Sequence, residues 1–384
     1  MGGVSAGAGK FTTVLPIVRP DSSQSRRRLT ESTSTSTSRP TAASCSRASG
    51  ALPEDGEQLA RTYCSSCHAF PEPALLDRPS WEAVLPDMGG RLGVYTTVPR
   101  DSLILRIDRG LLDPALVYPT TPALSLEAWQ AITDYFLREA PAFLAAAPRV
   151  PPVEVGLPGF RVRAPRFRFE PPLTTMVDVR DRNGVFFVGT YGTTPALGVL
   201  NAGGEALFQW DLPGAPVSAH WDDGRLTILL VGSRLEPSEA ADGAIVTIDG
   251  PQAPVRPRVT GLKRPVDLDV GDLNGDGLDD FVVCEFGNET GDLSWYENAG
   301  DGTYRRHVLS SRAGAIEAVL HDFDADGAVD VGVLLAQGDE GVDLYYNDGA
   351  GRFRAERVLR FPPVYGSTHL ALADFDADGV ADLL

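Results

Sequence analysis

A chain of 384 residues, 43% of them hydrophobic, has room for two or three domains, each with its own core. Its 52 acidic and 34 basic side chains leave a formal charge of −18, which argues against a nucleic-acid partner, because a phosphate backbone demands clustered Lys and Arg. Lysine occurs only as Lys10 and Lys263, and no apolar run reaches the length that spans a bilayer. Residues 1–52 come first and stand apart, dense in Ser and Thr, with Arg26-Arg27-Arg28 and almost no acid. Such a segment has too little apolar surface to offset its ordering and is predicted to be disordered.

Asp55 to Tyr63 reads as a helix, and it ends at Cys64-Ser65-Ser66-Cys67-His68. Two thiols about one helical turn apart can each add to a haem vinyl group while the adjoining imidazole ligates the iron, so the five residues form the attachment signature of a c-type haem. The competing readings are structural zinc and a redox dithiol. Zinc wants a second Cys or His pair nearby, but Cys45 and Cys284 lie outside the segment and the next histidine is His220. A thioredoxin-like dithiol wants a preceding strand. Farther on, Ser125 is placed to cap a helix carrying Leu126, Trp129, Ile132, Tyr135 and Phe136 at helical spacing, closed by Pro141.

A helix opening on the haem motif and an amphipathic helix closing the segment make residues 53–142 resemble a class I cytochrome c. That resemblance implies terminal helices crossing at a small residue and an aromatic, here Gly56 and Tyr135. Between residues 51 and 150, His68 is the one histidine, Met88 the one methionine, and lysine is absent, so Met88 is the expected sixth iron ligand. It is expected at the end of a short helix, in a turn at Gly89-Gly90. The competing reading is an ordinary core residue, which leaves the iron five-coordinate and open to a small molecule. Haem attachment belongs to the periplasm or an equivalent compartment, so a periplasmic, extracellular or cell-surface protein is expected. The best candidate for an export signal, Phe11 to Val18, is short and broken by Pro16, which points to a misplaced start of the chain.

Residues 143–172 carry Pro148, Pro151, Pro152, Pro158, Pro165 and Pro171 and read as a semi-rigid linker, with an edge strand over 160–169. Beyond it the hydrophobic period becomes two. Asp272-Leu273-Asn274-Gly275-Asp276-Gly277-Leu278-Asp279-Asp280 recurs 50 residues later as Asp322 to Asp330 and after another 52 as Asp374 to Asp382, with alternating apolar residues before each copy and an apolar strand after it. Some 50 residues holding about four strands is the period of a propeller blade. Val177 to Gly189 and Ser218 to Gly232 read as strands of earlier blades that lack the acidic loop.

Within each loop, side-chain oxygens at positions 1, 3, 5 and 9 and a carbonyl at position 7 suit a hard cation such as Ca²⁺. The residues are Asp272, Asn274, Asp276, Leu278 and Asp280; Asp322, Asp324, Asp326, Ala328 and Asp330; and Asp374, Asp376, Asp378, Val380 and Asp382. One copy alone reads equally as a solvated turn; three in register argue for ions. EF-hands are excluded, since position 12 is Val283 or Val333 in place of a bidentate Glu.

The repeats resemble the FG-GAP or VCBS units of integrin-type β-propellers. The expected fold is therefore multidomain, an all-α cytochrome c domain followed at 173–384 by an all-β propeller of four blades and part of a fifth. The resemblance implies about seven blades, so the sequence reads as a piece of a longer protein that stops inside a strand at Leu384. Three functions remain open. The first is an electron carrier with covalent haem c and Ca²⁺, whose propeller docks an unidentified redox protein or an extracellular polymer. The second is an oxidoreductase whose propeller binds substrate and passes electrons to the haem. The third is a calcium-dependent adhesion protein with a sensory haem. No acid/base constellation favours the enzyme: His220, His307, His321 and His369 are dispersed.

Overall fold

The computed structural model describes residues 55–144, 163–362 and 366–384, less positions 106, 108–111, 180–183 and 223, together with Gly159, Arg161 and the backbone of Leu15–Pro16. Apart from that pair, the expected disordered segment 1–52 lies outside the described residues, as do positions 145–158, 160 and 162 of the expected linker.

Helices α1 (Gly56–Cys64), α2 (Arg78–Arg91), α3 (Arg100–Ile104), α4 (Pro114–Val117) and α5 (Leu126–Glu139) build the first part. Short polar side chains set the starts of the longer ones: Asp55 accepts from Glu57 N at 3.0 Å, Asp77 from Ser80 N at 3.0 Å and Ser125 from Ala128 N at 3.1 Å. The helical spacing on α5 buries Ala128, Trp129, Ile132, Tyr135 and Phe136 against Ala60 of α1 and Trp81 and Leu85 of α2. Each large side chain so buried contributes about 1.5–3 kcal/mol. Trp81 donates its indole N–H to the Pro73 carbonyl at 2.8 Å and lies 4.4 Å from the Phe136 ring. A Cβ on Gly56 would stand 2.2 Å from the Ala131 carbonyl oxygen and 3.1 Å from Tyr135 Cβ, so α1 and α5 cross backbone against backbone at the two residues expected.

Four antiparallel four-stranded sheets follow, each taking its strands in chain order. They are β2 (Thr174–Val179) to β5 (Ala206–Asp211) through β3 (Phe186–Thr190) and β4 (Ala196–Leu200); β6 (Pro216–Asp222) to β9 (Arg256–Leu262) through β7 (Arg225–Leu230) and β8 (Gly243–Ile248); β10 (Pro265–Gly271) to β13 (Tyr304–Ser310) through β11 (Asp280–Glu285) and β12 (Asp292–Asn298); and β14 (Ala315–His321) to β17 (Phe353–Arg360) through β15 (Asp330–Leu335) and β16 (Gly341–Asn347). A last pair, β18 (Leu372–Ala373) with β19 (Asp382–Leu383), also holds β1 (Leu15–Pro16).

First strands of successive sheets pack on one another, while the fourth strands, such as β17, are largely exposed. These are propeller-like blades. Second strands are covered on both faces by neighbouring sheets, which is why Phe281 to Cys284 and Val331 to Leu335 read as continuous apolar runs and are buried throughout. The edge strand expected over 160–169 is absent from its described part, which stays irregular. Pro165 has no N–H to give a ladder, and Phe167 bonds a turn instead, N to Gly204 O at 2.8 Å, with the Phe167 and Phe169 rings over Gly198. No helix among the described residues is long and apolar enough to cross a membrane.

Adjacent blades are fastened by acids on the innermost strands. Asp267 accepts from Ala318 N at 2.9 Å and Asp269 from Leu320 N at 3.1 Å, both reaching from β10 to the next blade's β14. Burial, reinforced by the nearby Glu317 and Asp269 charges, pushes the Asp267 carboxyl up to about 6 even though the Ala318 N–H opposes it. Folding thus disfavours the charged form. The penalty is absent below the ordinary carboxylate range near pH 4, grows as pH rises, and is complete above pH 6. Asp267→Asn keeps an acceptor for Ala318, so at pH 8 it should stabilise by up to about 3 kcal/mol and at pH 4 be close to neutral. Melting midpoints at the two pH values check this; an equal loss at both would refute it.

Candidate functional site

Cys64 is the last residue of α1, and the rest of the motif follows the helix end, held by Ser66 donating through Oγ to the Tyr63 carbonyl at 2.6 Å. Cys64 is half-buried, Cys67 exposed, and both thiols are free. Burial and then the neighbouring Cys67 push the Cys64 thiol up to about 11, so it is protonated at neutral pH and lacks the lowered pKa of a catalytic dithiol. Neither cysteine nor His68 belongs to any cluster of three metal-holding side chains among the described residues, which leaves zinc without a ligand set. The His68 ring places Nδ1 2.8 Å from the Ala69 carbonyl oxygen. A carbonyl only accepts, so the neutral ring carries its proton on Nδ1 and keeps the Nε2 lone pair for a metal.

Met88 lies inside α2 and not in a turn. The helix runs on through Gly89 and Gly90 to Arg91, and the chain reverses at Gly93, with φ +76°. Both glycines stay helical because neighbours need the room: a Cβ on Gly89 would meet the Trp129 ring at 2.8 Å, and one on Gly90 would meet Leu103 at 2.4 Å. Met88 is half-buried against the same core that Cys64 flanks. Beside it, Asp87 accepts from Tyr118 Oη at 2.6 Å and from Arg91 Nε at 3.0 Å.

The helical part touches the blades through this corner. Arg91 reaches the loop between β11 and β12 and grips Glu289 with both Nη atoms, at 2.9 and 3.0 Å. That loop is held by Glu239, buried in the preceding blade, which accepts from Glu289 N at 2.6 Å and Thr290 Oγ1 at 2.6 Å. A Cβ built on Gly338, between β15 and β16, would stand 3.9 Å from the Cys67 carbonyl oxygen. Both loops lie at the ends of β11 and β15 opposite the acidic loops, so the Cys67 motif and those loops sit at opposite ends of the blades. Nothing local in the sequence marks Glu239 or Glu289; their contacts span 50 and 198 residues.

The acidic loops join the first and second strands of their sheets. Carboxylate oxygens of Asp322, Asp324 and Asp330 converge within 4.8 Å of one another, as do those of Asp374, Asp376 and Asp382. The first loop has Asn274 at position 3, whose amide donates to Asp276 at 3.1 Å. Position 5 turns onto its own loop: Asp276, Asp326 and Asp378 each accept from the N–H of position 7 at 2.8 Å, namely Leu278, Ala328 and Val380. In the second and third loops positions 1, 3 and 9 are thus brought together, while one oxygen of each position 5 carboxylate caps its own turn.

Position 9 is structural as well. Asp280 is fully buried and accepts from Leu273 N at 3.2 Å and Asn298 N at 2.8 Å; Asp330 does the same with Phe323 N at 2.9 Å and Asn347 N at 2.7 Å. Burial raises both carboxyls despite those donors, whereas at Asp272 four backbone N–H groups outweigh burial and hold the carboxyl low. Asp324 Oδ1 is buried without a partner among the described residues, the mark of an oxygen that wants a cation.

No curated protein matches the chain. Among solved structures it is similar to the Dos1 propeller, with 10% identity, a TM-score of 0.36, and 52% of this chain and 50% of that one covered. It is also similar to a mutant apocarotenoid oxygenase of Synechocystis, with 12% identity, a TM-score of 0.33, and 53% and 52% covered. The chain spans about half the length of these structures. The sequence profile described as FG-GAP-like repeat matches residues 272–333 and again 322–384. The match begins at the first acidic loop, just after β10, and runs through the third, so residues 272–384 are similar to FG-GAP-like repeats.

Proposed function

We propose that the chain is an exported electron-transfer protein, with haem c attached through Cys64 and Cys67 and a calcium-stiffened propeller that docks its redox partner. The observation that carries the reading is the Cys64 to His68 motif at the end of a helix that crosses α5 at Gly56, with His68 Nδ1 held by the Ala69 carbonyl. Haem, when bound, supplies a reversible one-electron couple. The residues divide the remaining work. Cys64 and Cys67 tether, the Ala69 carbonyl fixes the ring orientation of His68, and Met88 offers a thioether from the same core. Asp322, Asp324 and Asp330, and Asp374, Asp376 and Asp382, with the carbonyls of Ala328 and Val380, would hold Ca²⁺; Asp272, Asn274, Asp280 and the Leu278 carbonyl are a less acidic third set.

The test is export of the chain together with a haem-maturation system. Haem should remain with the polypeptide after denaturation, and Cys64→Ala with Cys67→Ala should release it completely. Met88→Ala should keep the covalent haem but remove the sulfur-to-iron charge-transfer band. A chain that carries no covalent haem would overturn the proposal.

A further inference from the structure

A groove of about 420 Å³ runs along the outside of the second and third blades, between β9 and the outer strands β12 and β13. Arg258, Lys263 and Arg306 line it, with Glu285, Asp292 and Tyr304. Lys263 is one of only two lysines in a chain of charge −18.

The two carboxylates are already engaged. Glu285 accepts from Lys263 N at 2.9 Å, Ser294 Oγ at 3.2 Å, Tyr296 Oη at 3.2 Å and Arg306 Nη2 at 3.1 Å. Asp292 accepts from the same Arg306 Nη2 at 2.8 Å. The donors are not exhausted. Lys263 Nζ is 3.8 Å from Asp292, beyond hydrogen-bond reach. Arg258 spends Nε on Thr247 Oγ1 at 2.9 Å, and its nearest carboxylate, Asp249 at 4.0 Å, is engaged by Arg225 at 2.8 Å. Among the described residues, Arg306 Nη1 and both Arg258 Nη atoms have no hydrogen-bond acceptor. What the groove presents is therefore donor capacity carried on cations, with tyrosine beside it, and that combination recognises an oxyanion. Its volume falls in the range of small-ligand pockets and exceeds what a bare inorganic ion fills.

We infer that this groove binds an organic anion of about monosaccharide size, such as a uronate, through Arg258, Lys263 and Arg306. Calorimetric titration of the full chain with glucuronate, glucose and inorganic sulfate tests it. Glucuronate should bind and glucose should not, and Lys263→Met with Arg258→Gln should weaken glucuronate at least tenfold while the circular dichroism spectrum stays unchanged. Absence of glucuronate binding, or equal binding by the double variant, would overturn the inference. Sulfate binding as tightly as glucuronate would overturn the organic part of it and leave a simple oxyanion site.

Discussion

Asp330→Ala should lower the melting midpoint of the blades by roughly 10 °C, the response expected of a body this size to a loss of about 4 kcal/mol. The residue is fully buried, and its two oxygens satisfy the N–H groups of Phe323 and Asn347, themselves buried. Alanine leaves both donors without acceptors, at about 1–3 kcal/mol each. Asp330→Asn retains one oxygen and should fall between alanine and the parent. Because burial already disfavours the charged form of Asp330, removing that charge does not itself cost stability, so any loss in the two variants reports the hydrogen bonds. Calorimetric midpoints without calcium decide the matter; a shift under about 2 °C for alanine would show that the clamp does not hold the blade.

Gly56→Leu should unfold the helical part while leaving the blades intact. The obstacle to a Cβ there is the Ala131 carbonyl, and backbone cannot rotate aside as a side chain can. Helices α1 and α5 must part, exposing Ala60, Ile132 and Phe136, at a cost above about 3 kcal/mol. The gain from replacing glycine in a helix, at most about 1 kcal/mol, does not offset it. Hydrogen exchange read by mass spectrometry should show α1 and α5 losing protection and β10 to β17 keeping theirs. Unchanged protection in α5 would contradict the crossing.

Much of this was legible because the signals are local. The period of two, the nine-residue acidic loops and their spacing foretold blades, and Ser125 with its apolar stripe foretold α5. The Gly56 and Tyr135 crossing came from the resemblance to a class I cytochrome c and not from any local period. Asp267 and Asp269 were not legible, since acids alternating with apolar residues read as solvent-facing, and only the adjoining blade turns them into acceptors for buried N–H groups. Gly89-Gly90 suggested a helix end, but Trp129 and Leu103, brought from elsewhere, make glycine a requirement of packing. The second duty of position 5 was not legible, because spacing does not show that one oxygen of each carboxylate also caps its own turn. Contacts such as Arg91 with Glu289 have no periodic signature at all.

Asn347 closes its own blade but also reaches across to the one before: its side-chain amide donates to the Leu273 carbonyl in the first acidic loop at 2.7 Å and to the Val329 carbonyl at 2.9 Å. The turn of one sheet is therefore sewn to the third strand of the next. Tension along the chain cannot peel that turn away until the neighbouring strand lets go, so the sheets resist pulling as a stitched seam resists tearing, with rupture force shared between neighbours instead of falling on one blade at a time.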